Sequence, residues 1–210
     1  MGAVKVKRIE NSWFSSNTYI FYTENNQNAW LVDCGDFEEV EEWLFLNKKK
    51  ICGIFITHCH FDHIYGINKA LNLYPDLKIY ASRLAFDGMG DSKINGSKYT
   101  ENAFATYGGS NIILNDGDII ILDEFIKLEV IETLGHSLDS CCYIVGNLLF
   151  TGDAFIPNIR TVSKLRGGNR EKAKETVLFL YEKYNSNGML VCPGHMEICN
   201  MGDIYINKMI

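Results

Sequence analysis

Residues 56–66 read ITHCHFDHIYG, and no other stretch restricts the fold of this chain as strongly. His58, His60, Asp62 and His63 fall within six residues, directly behind the largely apolar run ICGIFIT (51–57). A fold that accepts this order buries a strand and opens, at its end, onto a place where three imidazoles and a carboxylate are wanted. In an extended segment residues i, i+2 and i+4 share one face. His58, His60 and Asp62 are therefore expected on one side, Cys59 and Phe61 on the other, and His63 at the start of a helix. Neutral imidazole and carboxylate are good ligands for zinc and related first-row divalent ions. Ordinary surface or core histidines do not explain why four such groups follow a buried strand, so the spacing points to metal.

The two remaining histidines obey the same rule. His136 lies in ETLGHSLDS behind FIKLEVIE, and His195 ends MLVCPGH, while Asp153 ends NLLFTGD. Each stands just past an expected strand, where loops gather side chains around a shared site.

Alternation and β-branched content predict strands in VKVKRI, TYIFYT, AWLVD, ICGIFIT, IIIL, FIKLEVIET, SCCYIV, NLLFTGD and GMLVCPGH. Gly146-Asn147 reads as a hairpin turn. Helices are predicted in DFEEVEEWLFLNKKK, IYGINKALNLYP and NREKAKETVLFLYEKY. The first has acids in its opening turn and lysines in its last, which suits a helix dipole. Residues 82–117, rich in Gly, Ser and Asn, are expected to form a long, partly mobile loop or short helices. The order of elements hints at two similar halves, each offering strand ends to one site.

At 210 residues the chain is expected to form a single domain, 1–210. A net charge of −6 argues against nucleic acid as the partner, because phosphate binding wants a basic surface. Lys164, Arg166, Arg170, Lys172 and Lys174 are expected as a solvated helix face. Neither an apolar leader nor a membrane-spanning run is visible, and the seven cysteines show no CxxC pair. Reduced thiols in a cytoplasmic protein with no membrane partner are expected, and the sequence leaves the oligomeric state open.

In order, His-x-His-x-Asp-His, Gly-His-Ser, Thr-Gly-Asp and Pro-Gly-His resemble the signature of the metallo-β-lactamase superfamily, and Asp33 in LVDCGD matches that family's early structural aspartate. The resemblance runs from Asp33 to His195. It implies an α/β fold, a four-layer αββα sandwich with a dinuclear site at one edge of its sheets. By position it implies that His58, His60 and His136 hold one metal, that Asp62, His63 and His195 hold the other, and that Asp153 bridges them. Asp33 would orient the ligand loop without touching metal. The implied cofactor is zinc, two ions per chain, with iron or manganese suited to the same donors. True β-lactamases of this fold usually carry cysteine at the position of Asp153. A carboxylate there resembles the glyoxalase II (hydroxyacylglutathione hydrolase) and lactonase branches.

The implied activity is metal-dependent hydrolysis, in which activated water attacks the carbonyl of a small thioester or ester, with Asp62 and Asp153 as catalytic carboxylates. Two alternatives within the superfamily are a mono-iron persulfide dioxygenase-like oxidoreductase and a phosphodiesterase; a non-catalytic metal-binding module is a third. The chain departs from the family pattern in having Tyr65 where a glycine is common, and Tyr65 is expected to be a packed residue. It also stops soon after His195, short of the C-terminal helical domain with which full-length glyoxalase II grips glutathione. The loop 82–110, with Phe86, Met89, Tyr99, Phe104 and Tyr107, forms either a lid or apolar pocket wall, or packs onto the domain through those residues. Arg160, Lys164 and Arg166 either meet an anionic substrate group or face solvent.

Overall fold

In the computed structural model, whose described residues are 3–124, 126–185 and 188–210, every strand expected from the apolar patterning forms. Phe125, the first residue of the expected strand FIKLEVIET, lies outside the described residues. The chain divides into two units, one up to Leu114 and one from Asn115 onward, each built on a six-stranded sheet.

The first sheet runs in chain order: β1 (Lys5–Glu10), β2 (Asn17–Tyr22), β3 (Asn28–Val32), β4 (Lys50–Phe55), β5 (Lys78–Ala81) and β6 (Ser110–Ile113). β1, β2 and β3 are antiparallel, and β3 to β6 are parallel. Period-two alternation gives this sheet two apolar faces. Ile20, Leu31, Ile54 and Ile79 share a core with Phe37, Val40 and Leu44 of helix α1 (Phe37–Leu46). Phe21, Trp30, Phe55 and Tyr80 turn the other way and stack across the strands, with Phe55 and Tyr80 centroids 4.3 Å apart. Each such buried side chain contributes about 1.5–3 kcal/mol.

Three local expectations change. Helix α1 stops at Leu46, so Lys48, Lys49 and Lys50 are not its last turn. Lys48 adopts φ +53°, which ends the helix, the Lys49 ammonium donates to the Thr23 and Asn26 carbonyls, and Lys50 opens β4. The helix behind the histidine cluster starts at Phe61 rather than His63, and it is broken into α2 (Phe61–Ile64) and α3 (Ile67–Leu73). The break lies at Gly66, where a Cβ would stand 1.9 Å from the Gly35 carbonyl oxygen. Residues 82–117 hold short helices, as one of the two expectations had it, α4 (Arg83–Met89), capped by the Ser82 hydroxyl, and one 3-10 turn; only strand β6 was not revealed by the patterning. Phe86, Met89 and Phe104 pack on the core of this unit, whereas Tyr99 and Tyr107 are exposed.

The second sheet comprises β7 (Ile119–Ile121), β8 (Lys127–Glu132), β9 (Cys141–Val145), β10 (Leu148–Gly152), β11 (Leu190–Pro193) and β12 (Cys199–Asn200). β9 and β10 close as a hairpin through Gly146-Asn147, with Val145 opposite Leu148 and Gly146 at φ +61°. β10 and β11 are parallel and joined through helix α5 (Arg170–Tyr184). Its Asn169 cap accepts from the Lys172 amide, and Val177 and Leu180 share a core with Leu149 and Val191. Gly135, at φ +130°, lies so close to α5 that a Cβ would fall 2.2 Å from the Ala173 nitrogen, which sets the approach of the loop to His136. The edge strand β7 leaves Ile119 and Ile121 63% and 62% exposed, between Asp116 and Asp118 on one side and Asp123 and Glu124 on the other. Arg170, Lys172 and Lys174 face solvent from α5, as expected, whereas Lys164 and Arg166, also exposed, lie in the loop before the helix. Among the described residues, no helix is long and apolar enough to cross a membrane.

Candidate metal centre

Each sheet delivers two of its candidate groups from the ends of adjacent parallel strands, and His136 follows the antiparallel strand β8. In the first unit Asp33 follows β3 and His58 follows β4 by way of Ile56 and Thr57; in the second, Asp153 follows β10 and His195 follows β11. Buried parallel strands end in water-facing loops, so polar side chains placed there are held by a rigid frame while their tips stay accessible.

In the first unit the alternation read from the sequence holds through His60. Cys59 is buried in the core, where a Cβ on Gly88 would meet its sulfur at 2.4 Å. Asp62 and His63 then belong to α2, whose turn returns them toward His58. The His58 and His60 rings lie 4.6 Å apart, the His58 and His63 rings 4.4 Å apart, and His63 Nε2 stands 3.6 Å from Asp62 Oδ2. Backbone contacts pin this turn at every step. The Phe61 amide donates to the Asn95 carbonyl, the Ser16 hydroxyl donates to the Asp62 carbonyl at 2.6 Å, and the Cys34 amide donates to the His63 carbonyl at 2.8 Å.

Proton positions follow from the same contacts. Asp33, buried and at φ +58°, accepts from the Thr57 amide and hydroxyl at 2.8 Å each and faces His63 Nδ1 at 2.9 Å. Burial pushes its carboxyl above the ordinary range, against the opposing pull of the His63 and Thr57 bonds. A carboxylate only accepts, so the His63 proton sits on Nδ1. The Thr57 hydroxyl spends its one proton on Asp33 and faces His58 Nδ1 at 3.0 Å, so it accepts and the His58 proton is also on Nδ1. One carboxylate thus sets two imidazole tautomers, and both leave the lone pair on Nε2.

In the second unit His136 Nδ1 donates to the Val162 carbonyl at 2.8 Å, which fixes the same tautomer a third time. Its Nε2 stands 3.7 Å from Asp153 Oδ2, and His195 Nε2 stands 3.5 Å from Asp153 Oδ1. The two oxygens of one carboxylate therefore face two different imidazoles.

These spacings test the fit of a metal. Two donor atoms about 2.1 Å from one cation at a tetrahedral angle lie about 3.4 Å apart. The His63–Asp62, His136–Asp153 and His195–Asp153 separations of 3.6, 3.7 and 3.5 Å lie near that edge length and beyond hydrogen-bond reach. The donors are all nitrogen and carboxylate oxygen, the set preferred by first-row divalent ions.

Tyr65 is packed, as expected: its ring stacks on Trp13 at 4.6 Å and its hydroxyl donates to Asp36 Oδ1 at 2.6 Å. Burial and the Asp36 bond raise its pKa. Arg160 donates to the Ile210 carbonyl, and Arg160, Lys164 and Arg166 are all exposed. Thr57, Ser16 and Asn95 went unnoticed in the sequence. Thr57 alone left a signal, a hydroxyl closing an apolar run beside His58. Ser16 and Asn95 act across 46 and 34 residues, respectively, which local patterning does not reach.

The model of the metallo-β-lactamase superfamily matches residues 11–195. The hydroxyacylglutathione hydrolase of Pseudoalteromonas translucida is 32% identical over 152 residues, 71% of this chain and 50% of that protein. The chain spans about half the length of the curated relatives it matches. Among solved structures, BLEG-1 B3 metallo-β-lactamase superposes with a TM-score of 0.86 at 23% identity, covering 94% of this chain and 95% of that one. TTHA1623 in a di-iron-bound form superposes with a TM-score of 0.79 at 18% identity, covering 93% and 95%. These likenesses agree with the α/β fold class expected from the sequence.

Proposed function

We propose, from the premise that the chain belongs to the metallo-β-lactamase superfamily, that it is a metal-dependent hydrolase of small thioesters or esters. His58, His60 and His136 would hold one divalent ion and Asp62, His63 and His195 a second, with the Asp153 carboxylate as a further ligand. The observation that carries this reading is the Asp153 carboxylate, with one oxygen toward His136 and the other toward His195. Ions held there would bring the pKa of a shared water near neutrality and so supply hydroxide. Asp62 and Asp153 accept hydrogen bonds from the attacking water and orient it. Asp33 and Thr57 keep the lone pairs of His63 and His58 on Nε2.

No thiol nucleophile is called for: Cys59 is buried in the core, and burial raises the pKa of Cys34, Cys141, Cys142 and Cys192. The similarity to hydroxyacylglutathione hydrolases favours a thioester among carbonyl substrates. All seven cysteines are unbridged, which suits a reducing, cytoplasmic setting.

The test is elemental analysis of untagged protein purified without added metal, followed by thioester, lactone and phosphodiester substrates. About two zinc ions per chain with thioester turnover lost to a chelator is the expected result. Little metal after reconstitution would refute the reading. Iron is the second reading, because the same nitrogen and oxygen donors suit it and TTHA1623 holds two irons. About one iron per chain, with oxygen uptake on a persulfide, would move the dioxygenase-like alternative to the front.

A further inference from the structure

The turn between β1 and β2 is built at a cost. Phe14 and Ser15 both adopt left-handed backbone, φ +56° and +52°, although neither is glycine. Such conformations persist where the surroundings impose them, and they cluster at functional sites. Here they hold the Phe14 ring 71% exposed beside the ligand loop. Asp36 clamps the base of the turn, accepting from the Ser12 amide at 2.6 Å and the Ser12 hydroxyl at 2.9 Å.

Phe14 meets Phe61 edge-on at 5.3 Å, and Phe61 sits between His60 and Asp62. Trp13, half-buried, stacks on Tyr65 and touches Phe61 at 5.9 Å. Beside these rings lies a cleft of about 320 Å3 lined by Ser12, Trp13, Phe14, Thr100, Glu101 and Asn102. Its walls offer an indole, a phenyl ring and one carboxylate, and no lysine or arginine is among them. Asp36 adds a second negative charge behind Ser12. Aromatic faces with a nearby carboxylate attract a soft cation and give an anion nothing.

We propose that this cleft binds an alkylammonium group, the cationic end of the substrate whose ester or thioester carbonyl is attacked at the neighbouring ligand loop. The inference rests on the hydrolase reading for its placement of the carbonyl, but the binding itself does not depend on turnover. Trp13 and Phe14 supply ring faces and apolar contact, and Glu101 supplies the opposite charge. A substrate with an anionic tail at this position is disfavoured.

The experiment compares choline with 3,3-dimethylbutanol, its neutral isostere, by calorimetric titration of the metal-loaded protein. Choline is expected to bind about five-fold more tightly, the gain of an exposed cation–π contact. Phe14→Ala should weaken both probes and lower the ratio, and Glu101→Gln should lower it further. Both residues are exposed, so the urea midpoint should not move, and that is checked in parallel. Equal affinity for the two probes, or a preference that survives both substitutions, overturns the proposal. Acetylthiocholine and 3,3-dimethylbutyl thioacetate are then compared as substrates. Choline preference without hydrolysis of either thioester sustains the cleft and removes the hydrolase reading, so the two claims fail separately.

Discussion

Asp33→Asn is the substitution that most sharply separates folding from metal binding. Asparagine tolerates the left-handed backbone at φ +58° and keeps one oxygen for the Thr57 amide. Its NH2 group, however, replaces the oxygen that now faces both the Thr57 hydroxyl and His63 Nδ1. His63 Nδ1 must then accept, which moves its proton to Nε2, the atom that faces Asp62 Oδ2 at 3.6 Å. The Thr57 hydroxyl, relieved of its acceptor, can turn its proton toward His58 and reverse that ring as well. Hydrogen bonds to a charged group are worth about 1.5–3 kcal/mol and neutral ones about 0.5–1.5 kcal/mol. Removing a carboxylate whose burial is itself costly offsets part of that loss, so metal-free stability should fall by only about 1–2 kcal/mol. Disturbing partners of this kind lowers metal affinity about 10–100-fold. Asp33→Ala, by contrast, strands three donors at about 1–3 kcal/mol each and approaches the whole stability of an ordinary domain. The assay is urea unfolding of metal-free protein beside metal titration against a competing chelator. An asparagine variant that folds and binds metal as tightly as the parent would falsify the tautomer argument.

Three further outcomes are expected. Burial pushes the Cys142 thiol from its ordinary 9.0 up to about 12, so above pH 9 the unfolded chain binds fewer protons than the folded one and stability falls as pH rises. Each such thiol contributes a slope of up to about 1.4 kcal/mol per pH unit, and Cys142→Ala should flatten the decline of the unfolding free energy from urea titration between pH 9 and 12 by about that much; an unchanged slope would show that the thiol is not buried in this way. Gly66→Ala drives a Cβ into the Gly35 carbonyl and should cost about 3 kcal/mol, read as a lowered Tm; an unshifted Tm would mean that the α2–α3 break is soft. Asn95→Ala removes donors to the Phe104 and Met89 carbonyls and the acceptor for the Ser97 amide. Residues 90–107 should then become the first site of limited proteolysis, and cleavage elsewhere first would count against Asn95 as their anchor.

Legibility in the sequence followed the range of the forces involved. Period-two strands such as VKVKRI and the hairpin at Gly146-Asn147 are local, and they form where patterning put them. Among the candidate ligands, His58, His60, Asp62 and His63 were readable because six consecutive positions concentrate one chemistry, and His136, Asp153 and His195 because each stands just past an apolar run. The ends of helices were less so: the lysines after Leu46 look like a dipole partner, yet Lys48 stops the helix through its own backbone. The break at Gly66 is set by the Gly35 carbonyl, 31 residues earlier, and strand β6 is short and largely exposed, held by pairing to β5 rather than by its own pattern. Thr57, Ser16 and the Val162 carbonyl orient ligands or their turn through contacts that exist only once the strands are registered.

Strand β7 bears on how this protein must be handled. Ile119 and Ile121 project from the open edge of a sheet, and an open edge invites a strand from another molecule. Asp116, Asp118, Asp123 and Glu124 bracket it, so two copies meeting there bring eight negative charges together. Those carboxylates act as gatekeepers against fibre-like association. Salt that screens them lowers that barrier while the fold persists, so turbidity should rise with ionic strength before any unfolding is seen.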